Sequence, residues 1–388
     1  MWYFVVPNVV FGQDALSHLA ELKGKSAFIV TDKNIVSLGY VDKVKEQLAQ
    51  AGIQATVFDE VEPDPSLQTV QKGVALMNQY GPDLVIGVGG GSVMDVAKAM
   101  RVQYERPDIK PEEINPFISD LGLGTKCKLV CIPTTSGTGA EATFAIVLTD
   151  IGDQRKLSLI NQEVVPDIAI VDPEMARAMP PQITADTGMD VLTHAIEGYT
   201  CTWKNDFTDG LCIKAIQLVF QYLQRAVQDG NDMEARERMH NAACMAGIGF
   251  TNSLTAMAHA AGHSLGAVFH TPHGRAVGLF LPYTIEYIGE VREELWAEIA
   301  YAIKLEVPKG KGAATILTRA IRELAYNINQ PLSIKETGIS LDSFNKATEK
   351  LIDNIMADGS LIVSARIPDV AETEKFLSFA YEGRSIDF

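Results

Sequence analysis

A chain of 388 residues is too long for one ordinary core and fits two domains. With 47% hydrophobic and 21% charged residues it has the composition of a soluble globular protein. The formal net charge of −16 speaks against nucleic acid or an anionic membrane as partner, because both call for clustered Lys and Arg. The cysteines, Cys127, Cys131, Cys201, Cys212 and Cys244, are odd in number and scattered, so they read as buried free thiols of a reducing compartment. The start MWYFVVP lacks the basic region and apolar run of a signal peptide, and no segment supplies the roughly 20 apolar residues of a membrane helix. The expectation is a soluble, cytoplasmic protein.

In chain order, SAFIVTD (26–32) reads as a buried strand, VDKVKEQLAQAG (41–52) as a helix with a glycine stop, and QATVFDEV (54–61) as a strand. TVQKGVALMNQYG (69–81) is helical, DLVIGVGGG (83–91) is a buried strand running into a glycine loop, and VMDVAKAMRV (93–102) is helical. KLVCIPTT (128–135) is another buried strand, followed by the polar loop SGTGAE. Such alternation predicts an α/β domain with a mainly parallel sheet and helices on both faces, placed at 1–180. From Pro180 and Pro181 onward the segments are long and helix-compatible, so 181–388 is expected to be an all-helical domain.

Gly89, Gly90, Gly91 and Ser92 follow a buried strand and precede a helix that continues through Val93, Met94 and Asp95. Glycines let backbone approach a phosphate closely, and a helix start supplies N–H groups; a plain tight turn is the alternative. A second loop, Thr134, Thr135, Ser136, Gly137 and Thr138, offers hydroxyls suited to pyrophosphate or ribose, or else a solvated turn. Two such loops at strand carboxyl ends of one sheet mark the edge where nucleotides bind. Asp32, at the end of its strand, could accept hydrogen bonds from a ribose or merely begin a turn.

Four of the seven histidines, His259, His263, His270 and His273, fall within fifteen residues, in an apolar, small-residue stretch. His194 lies four residues after Asp190, so on a helix the two share one face. One carboxylate with two or three imidazoles suits a divalent zinc or iron ion, and the net positive charge would stabilise an alkoxide. Spacing alone does not select which clustered histidines are ligands.

In these motifs the chain resembles the iron-containing (group III) alcohol dehydrogenase family, in its branch of lactaldehyde reductases, 1,3-propanediol dehydrogenases and butanol dehydrogenases. The likeness runs through PNVVFG, IVTDK, VEPDPS, GGGSVMDVAKA, PTTSGTGAE, MPPQITADTGMDVLTHAIEGY and HAAGHSLGAVFHTPHG. It implies a dehydroquinate synthase-like fold, NAD rather than NADP, and one divalent metal, Fe2+ ahead of Zn2+. It further implies Asp190, His194, His259 and His273 as metal ligands and His263 as a catalytic residue near substrate. The cofactor would be held by the run Gly89–Asp95, by Thr134–Thr138, by Lys156 toward the ribose or nicotinamide, by Asp32 and, near the adenine, by Asp64. Phe144, Ala145, Phe250 and Thr255 would line the substrate pocket. The chain departs from the family pattern at PDP around Asp64, at TTSGTG, at Ala145, and at HGRAVG, where Arg275 and Val277 replace the usual residues.

The implied reaction is hydride transfer between a small primary alcohol or diol and NAD, or the reverse from the aldehyde, in a homodimer or higher homo-oligomer. Two rivals stand beside it. A polyol or polyol-phosphate dehydrogenase of the same fold would need cations near the metal. A non-catalytic nucleotide or metal sensor would have no use for His263.

Overall fold

A computed structural model of the chain describes residues 3–115, 119–150, 155–308 and 312–388. Contacts divide it into two units, Met1–Met179 and Pro180–Phe388.

The first unit is built on six parallel strands in the order β1-β8-β5-β4-β2-β3. These are β1 (Asn8–Phe11), β2 (Ser26–Val30), β3 (Gln54–Phe58), β4 (Leu84–Gly89), β5 (Lys128–Pro133) and β8 (Ile168–Val171). The helices between them are α1 (Lys33–Ser37), α2 (Tyr40–Gln50), α3 (Leu67–Tyr80) and α4 (Gly91–Glu105). Alternation decides the two faces. Ile29, Ile86, Ile132 and Ile170 pack with Leu19, Val44 and Leu48 on one side. On the other, Gly87 lets α4 come so close that a Cβ there would meet the Ala97 Cβ at 3.1 Å.

The sequence reading omits β1 and β8, each four residues long, and the antiparallel hairpin of β6 (Ala145–Asp150) and β7 (Arg155–Ile160). Helix α4 grips that hairpin with two side chains of opposite charge, Lys98 fully buried and Asp95 half-buried. Asp95 accepts the Val147 N–H at 3.0 Å, while the Lys98 ammonium donates to the Ala145 carbonyl at 3.0 Å and to Thr143 Oγ1 at 2.9 Å. Burial pushes the Asp95 carboxyl up to about 6, against the pull of Lys98. Burial likewise pushes the Lys98 ammonium down, against Asp95.

The second unit contains helices only, among the described residues. They are α5 (Pro181–Thr200), α6 (Asp206–Gln228), α7 (Met233–Thr251), α8 (Met257–Phe269), α9 (His273–Ile288), α10 (Glu293–Ala302), α11 (Ala313–Asn327), α12 (Leu341–Ala357) and α13 (Val370–Glu382). Proline at the first helical position starts α5, where its missing N–H costs nothing. From Thr184 onward nearly every residue of α5 is buried, which makes it the central strut of this unit. Its apolar positions pack into one continuous core with α6 through α9 and α11 through α13. No helix is long and apolar enough to cross a membrane among the described residues. All five cysteines are buried, and none is joined in a disulfide.

Lys98→Ala should destabilise the first unit by about 3 kcal/mol in denaturant unfolding, because the Thr143 hydroxyl and the Ala145 carbonyl lose their buried charged donor. A wild-type midpoint would show that the hairpin is held by other contacts.

Candidate metal centre and nucleotide loops

Four of the sequence-selected side chains converge inside the second unit. Asp190 and His194 lie one turn apart on α5, His259 sits in the first turn of α8, and His273 opens α9. One donor atom from each lies within 4.8 Å of the other three. The Nε2 atoms of His273, His194 and His259 lie 3.5, 3.6 and 3.8 Å from Asp190 Oδ1. Those separations exceed a hydrogen bond, whereas two ligands each ~2.1 Å from one ion stand roughly 3–4 Å apart. Asp190 Oδ1 and His259 Nε2 are buried and make no hydrogen bond, an arrangement that folded proteins rarely tolerate without a further partner. The donor set therefore fits a divalent ion: one carboxylate and three imidazoles, converging on one point.

Electrostatics supports the same fit. Burial would raise the Asp190 carboxyl, but the imidazoles of His194, His273 and His259 hold it far below the ordinary carboxylate range. Burial, opposed by Asp190 and reinforced by the other imidazoles, pushes His194 down to about 3. Its ring is therefore neutral near pH 7 and keeps a lone pair for coordination.

Two carboxylates that the sequence reading missed orient these rings. Glu197, one turn beyond His194 and 4% exposed, accepts from His259 Nδ1 at 2.5 Å and from the backbone N–H groups of Ala256 (2.9 Å) and Ala258 (2.5 Å). It thus caps the start of α8 from another helix and holds the His259 proton on Nδ1, leaving the Nε2 lone pair for the cluster. Asp358 lies between α12 and a short 3-10 turn, and its Oδ2 sits 2.9 Å from His263 Nδ1. Burial would raise Asp358, but His263 and the Ser360 N–H hold it at about 2. His263 is not among the four donors, yet its ring stacks on His273 at 5.3 Å and meets His259 edge-on at 5.7 Å. Phe250 stacks on His194 at 4.2 Å, and Thr255 donates to Ser360 at 3.1 Å. His270 caps α8 in the left-handed conformation and stands outside the donor set.

In the first unit the two glycine-containing loops are joined at strand carboxyl ends. Thr134 N–H donates to the Gly89 carbonyl at 2.9 Å. A Cβ on Gly91 would strike the Thr138 side chain at 2.9 Å, and one on Gly90 would touch Thr135 at 3.5 Å. Gly90 caps α4, so the N–H groups of Gly91, Ser92 and Val93 have no partner within the helix and form a ready anion site. Ser136, Thr134 and Met94 are buried, and Gly137 lies in the same turn.

Several selected side chains are engaged locally. Asp32 Oδ1 caps α1, accepting from Asn34 and Ile35, and its backbone bridges to Glu60. The Ser92 hydroxyl donates to the Pro63 carbonyl at 2.8 Å, and Asp64 accepts from Thr149 at 3.0 Å. Asp95 serves the hairpin as described above. Phe144 is buried, and Ala145 begins β6. Lys156, on β7, pairs with Thr149 of β6, and its side chain lies outside the described residues.

Residues 7–173 match the iron-containing alcohol dehydrogenase family, and residues 184–364 match the C-terminal domain of Fe-containing alcohol dehydrogenases. The chain is 38% identical to the NADPH-dependent butanol dehydrogenase of Clostridium saccharobutylicum over the full length of both. Aldehyde-alcohol dehydrogenase 2 of Entamoeba histolytica is 37% identical across 98% of this chain, which spans 46% of that longer protein. Among solved structures, a 1,3-propanediol oxidoreductase superposes with a TM-score of 0.91 at 30% identity, covering 98% of this chain and 100% of that one. The chain therefore belongs to the iron-containing alcohol dehydrogenase family.

Glu197→Gln places an amide N–H against either a backbone N–H of α8 or the His259 Nδ1 proton. Its divalent-metal affinity, measured by competition with a chromophoric chelator, is expected to fall ~10–100-fold. An unchanged affinity would remove Glu197 from the centre.

Proposed function

We propose that this chain interconverts small primary alcohols or diols and their aldehydes, using one divalent metal and NAD(H). The observation that carries the reading is the convergence of Asp190, His194, His259 and His273 on one buried point, with hydrogen-bonding capacity left over. The domain at 181–388 would hold metal and substrate, and the domain at 1–180 the nucleotide. A divalent ion held by these four residues, Fe2+ before Zn2+, would supply Lewis acidity that eases deprotonation of an alcohol or polarises an aldehyde. The nicotinamide would supply or accept the hydride.

The remaining roles belong to the chain. The N–H groups of Gly91, Ser92 and Val93 would bind pyrophosphate, and the hydroxyl loop Thr134–Thr138 would hold the adjoining phosphate or ribose. Lys156 is assigned to the ribose or nicotinamide side and Asp64 to the adenine end. His263, its Nδ1 held by Asp358, presents Nε2 for proton exchange with the substrate oxygen. Phe144, Ala145, Phe250 and Thr255 are the residues assigned to contact with substrate. The butanol dehydrogenase and the propanediol oxidoreductase that this chain resembles point to short alcohols and diols.

NAD is favoured over NADP on the chain's own residues, although the butanol dehydrogenase it resembles is named NADPH-dependent. Asp32 and Glu60 bridge at the carboxyl ends of β2 and β3, where an adenosine ribose sits in such sheets, and their charges repel a 2′-phosphate. The rival polyol-phosphate substrate calls for a free cation beside the donors; Arg275, two residues from His273, is instead engaged by Asp186. A cytoplasmic homodimer or larger homo-oligomer completes the reading.

The test begins with protein stripped of metal, reloaded anaerobically with Fe2+ or Zn2+, and followed by nicotinamide absorbance. It is offered NAD with ethanol, 1-butanol, 1,2-propanediol and 1,3-propanediol, and NADH with the matching aldehydes. Turnover should appear on loading, vanish with chelator, and be lost in His259→Ala; turnover indifferent to all three would overturn the assignment. Asp32→Ser keeps a capping oxygen for α1 but removes the charge, so the NADPH-to-NADH ratio of kcat/KM should rise ~10-fold. A flat ratio would take Asp32 out of nucleotide selection.

A further inference from the structure

His273 differs from the other three donors in how it is held. Asp190, His194 and His259 lie within buried helical turns, whereas His273 is the first residue of α9, directly after Pro272, and its side chain is 43% exposed. First turns fray, so a donor at such a position is preorganised only if something else fixes the helix start.

The start of α9 is fixed by close approach and by charge. A Cβ on Gly274 would lie 2.2 Å from the Asp186 carbonyl oxygen, so the first turn of α9 rests directly on α5. On the other flank, a Cβ on Gly262 of α8 would meet Val277 at 2.5 Å. Beside Gly274, Arg275 lays its guanidinium across the Asp186 carboxylate, Nε to Oδ1 at 3.0 Å and Nη2 to Oδ2 at 3.1 Å. The same carboxylate accepts from Gln330 at 2.8 Å and Gln182 at 3.1 Å. Asp186 stands one helical turn before Asp190. The clamp therefore ties the residue two after one donor to the residue four before another. Both departures in HGRAVG are thereby given a place: Val277 packs on α8, and Arg275 grips α5.

We propose that Arg275, through its paired bonds to Asp186, is a positioning residue that fixes His273 against Asp190 and so preforms the four-donor set. The proposal rests on reading those donors as a metal centre. A bidentate, partly buried guanidinium–carboxylate pair defines direction as well as distance, which a lysine cannot reproduce.

The experiment compares wild type, Arg275→Ala and Arg275→Lys as full chains stripped of metal. It measures Zn2+ affinity by chelator competition, the visible spectrum of the Co2+-loaded protein, and the melting temperature without metal. Arg275→Ala is expected to bind Zn2+ ~10–100-fold more weakly and to show an altered Co2+ spectrum. Its metal-free melting temperature should fall as Asp186 loses its cation, and Arg275→Lys should restore most of the melting temperature but only part of the affinity. Wild-type affinity and spectrum in Arg275→Ala would overturn the proposal, and a lowered melting temperature with unchanged affinity would overturn it equally, by making the pair merely structural. Failure of the wild-type protein to bind either ion would sink the metal centre itself, and this proposal with it.

Discussion

Helix α5 carries three carboxylates, Asp186, Asp190 and Glu197, through the interior of the helical unit, each less than a tenth exposed. A buried anion is costly unless it is met by opposite charge or by several donors, so each one dictates what must pack around it. Asp186 is met by Arg275, Gln330 and Gln182, which brings the start of α9 and the segment after α11 onto α5. Glu197 is met by two backbone N–H groups and a ring nitrogen of α8. Asp190, between them, is met by three imidazoles whose Nε2 atoms stand 3.5, 3.6 and 3.8 Å from its unpartnered Oδ1, the arrangement a shared cation would complete. The helix is a scaffold because its charges leave the neighbouring helices so few places to go.

The α/β unit solves a different problem with the same kind of device. The backbone N–H groups at the start of α4, assigned above to phosphate, stay available only if nothing else occupies them. The side chains nearby are tied down elsewhere: Ser92 to the Pro63 carbonyl, and Asp95 and Lys98 to the hairpin. The two loops touch through glycines, whose missing side chains are what allow the contact.

Much of this was legible in the sequence, where periodicity or spacing is local. The buried runs at 84–89 and 128–133, the glycine break before α4, and the four-residue interval from Asp190 to His194 each declare themselves within one element. The convergence of the histidines on Asp190 was foreshadowed by their crowding and by the family likeness. What stayed hidden depends on partners distant in the chain. Glu197 looks like any glutamate inside a helix until it is seen capping α8, some sixty residues on. Asp358 reaches His263 from 95 residues away. Arg275 stood out only as a departure, with no sign that Asp186 waited for it. Strands β1 and β8 were missed because four residues carry too little alternation to separate from a loop. The hairpin was missed because its pairing sits apart from the main sheet.

His273 is the one exposed donor of the four, and that has a kinetic meaning. With Asp190, His194 and His259 buried, the His273 ring is the donor that solvent reaches, so exchange of an ion would involve its release first. The lifetime of a bound ion would then follow the opening of a single helical turn rather than the strength of the whole set. Two ions of similar affinity could persist very differently, and the metal found after purification would record which one arrived first.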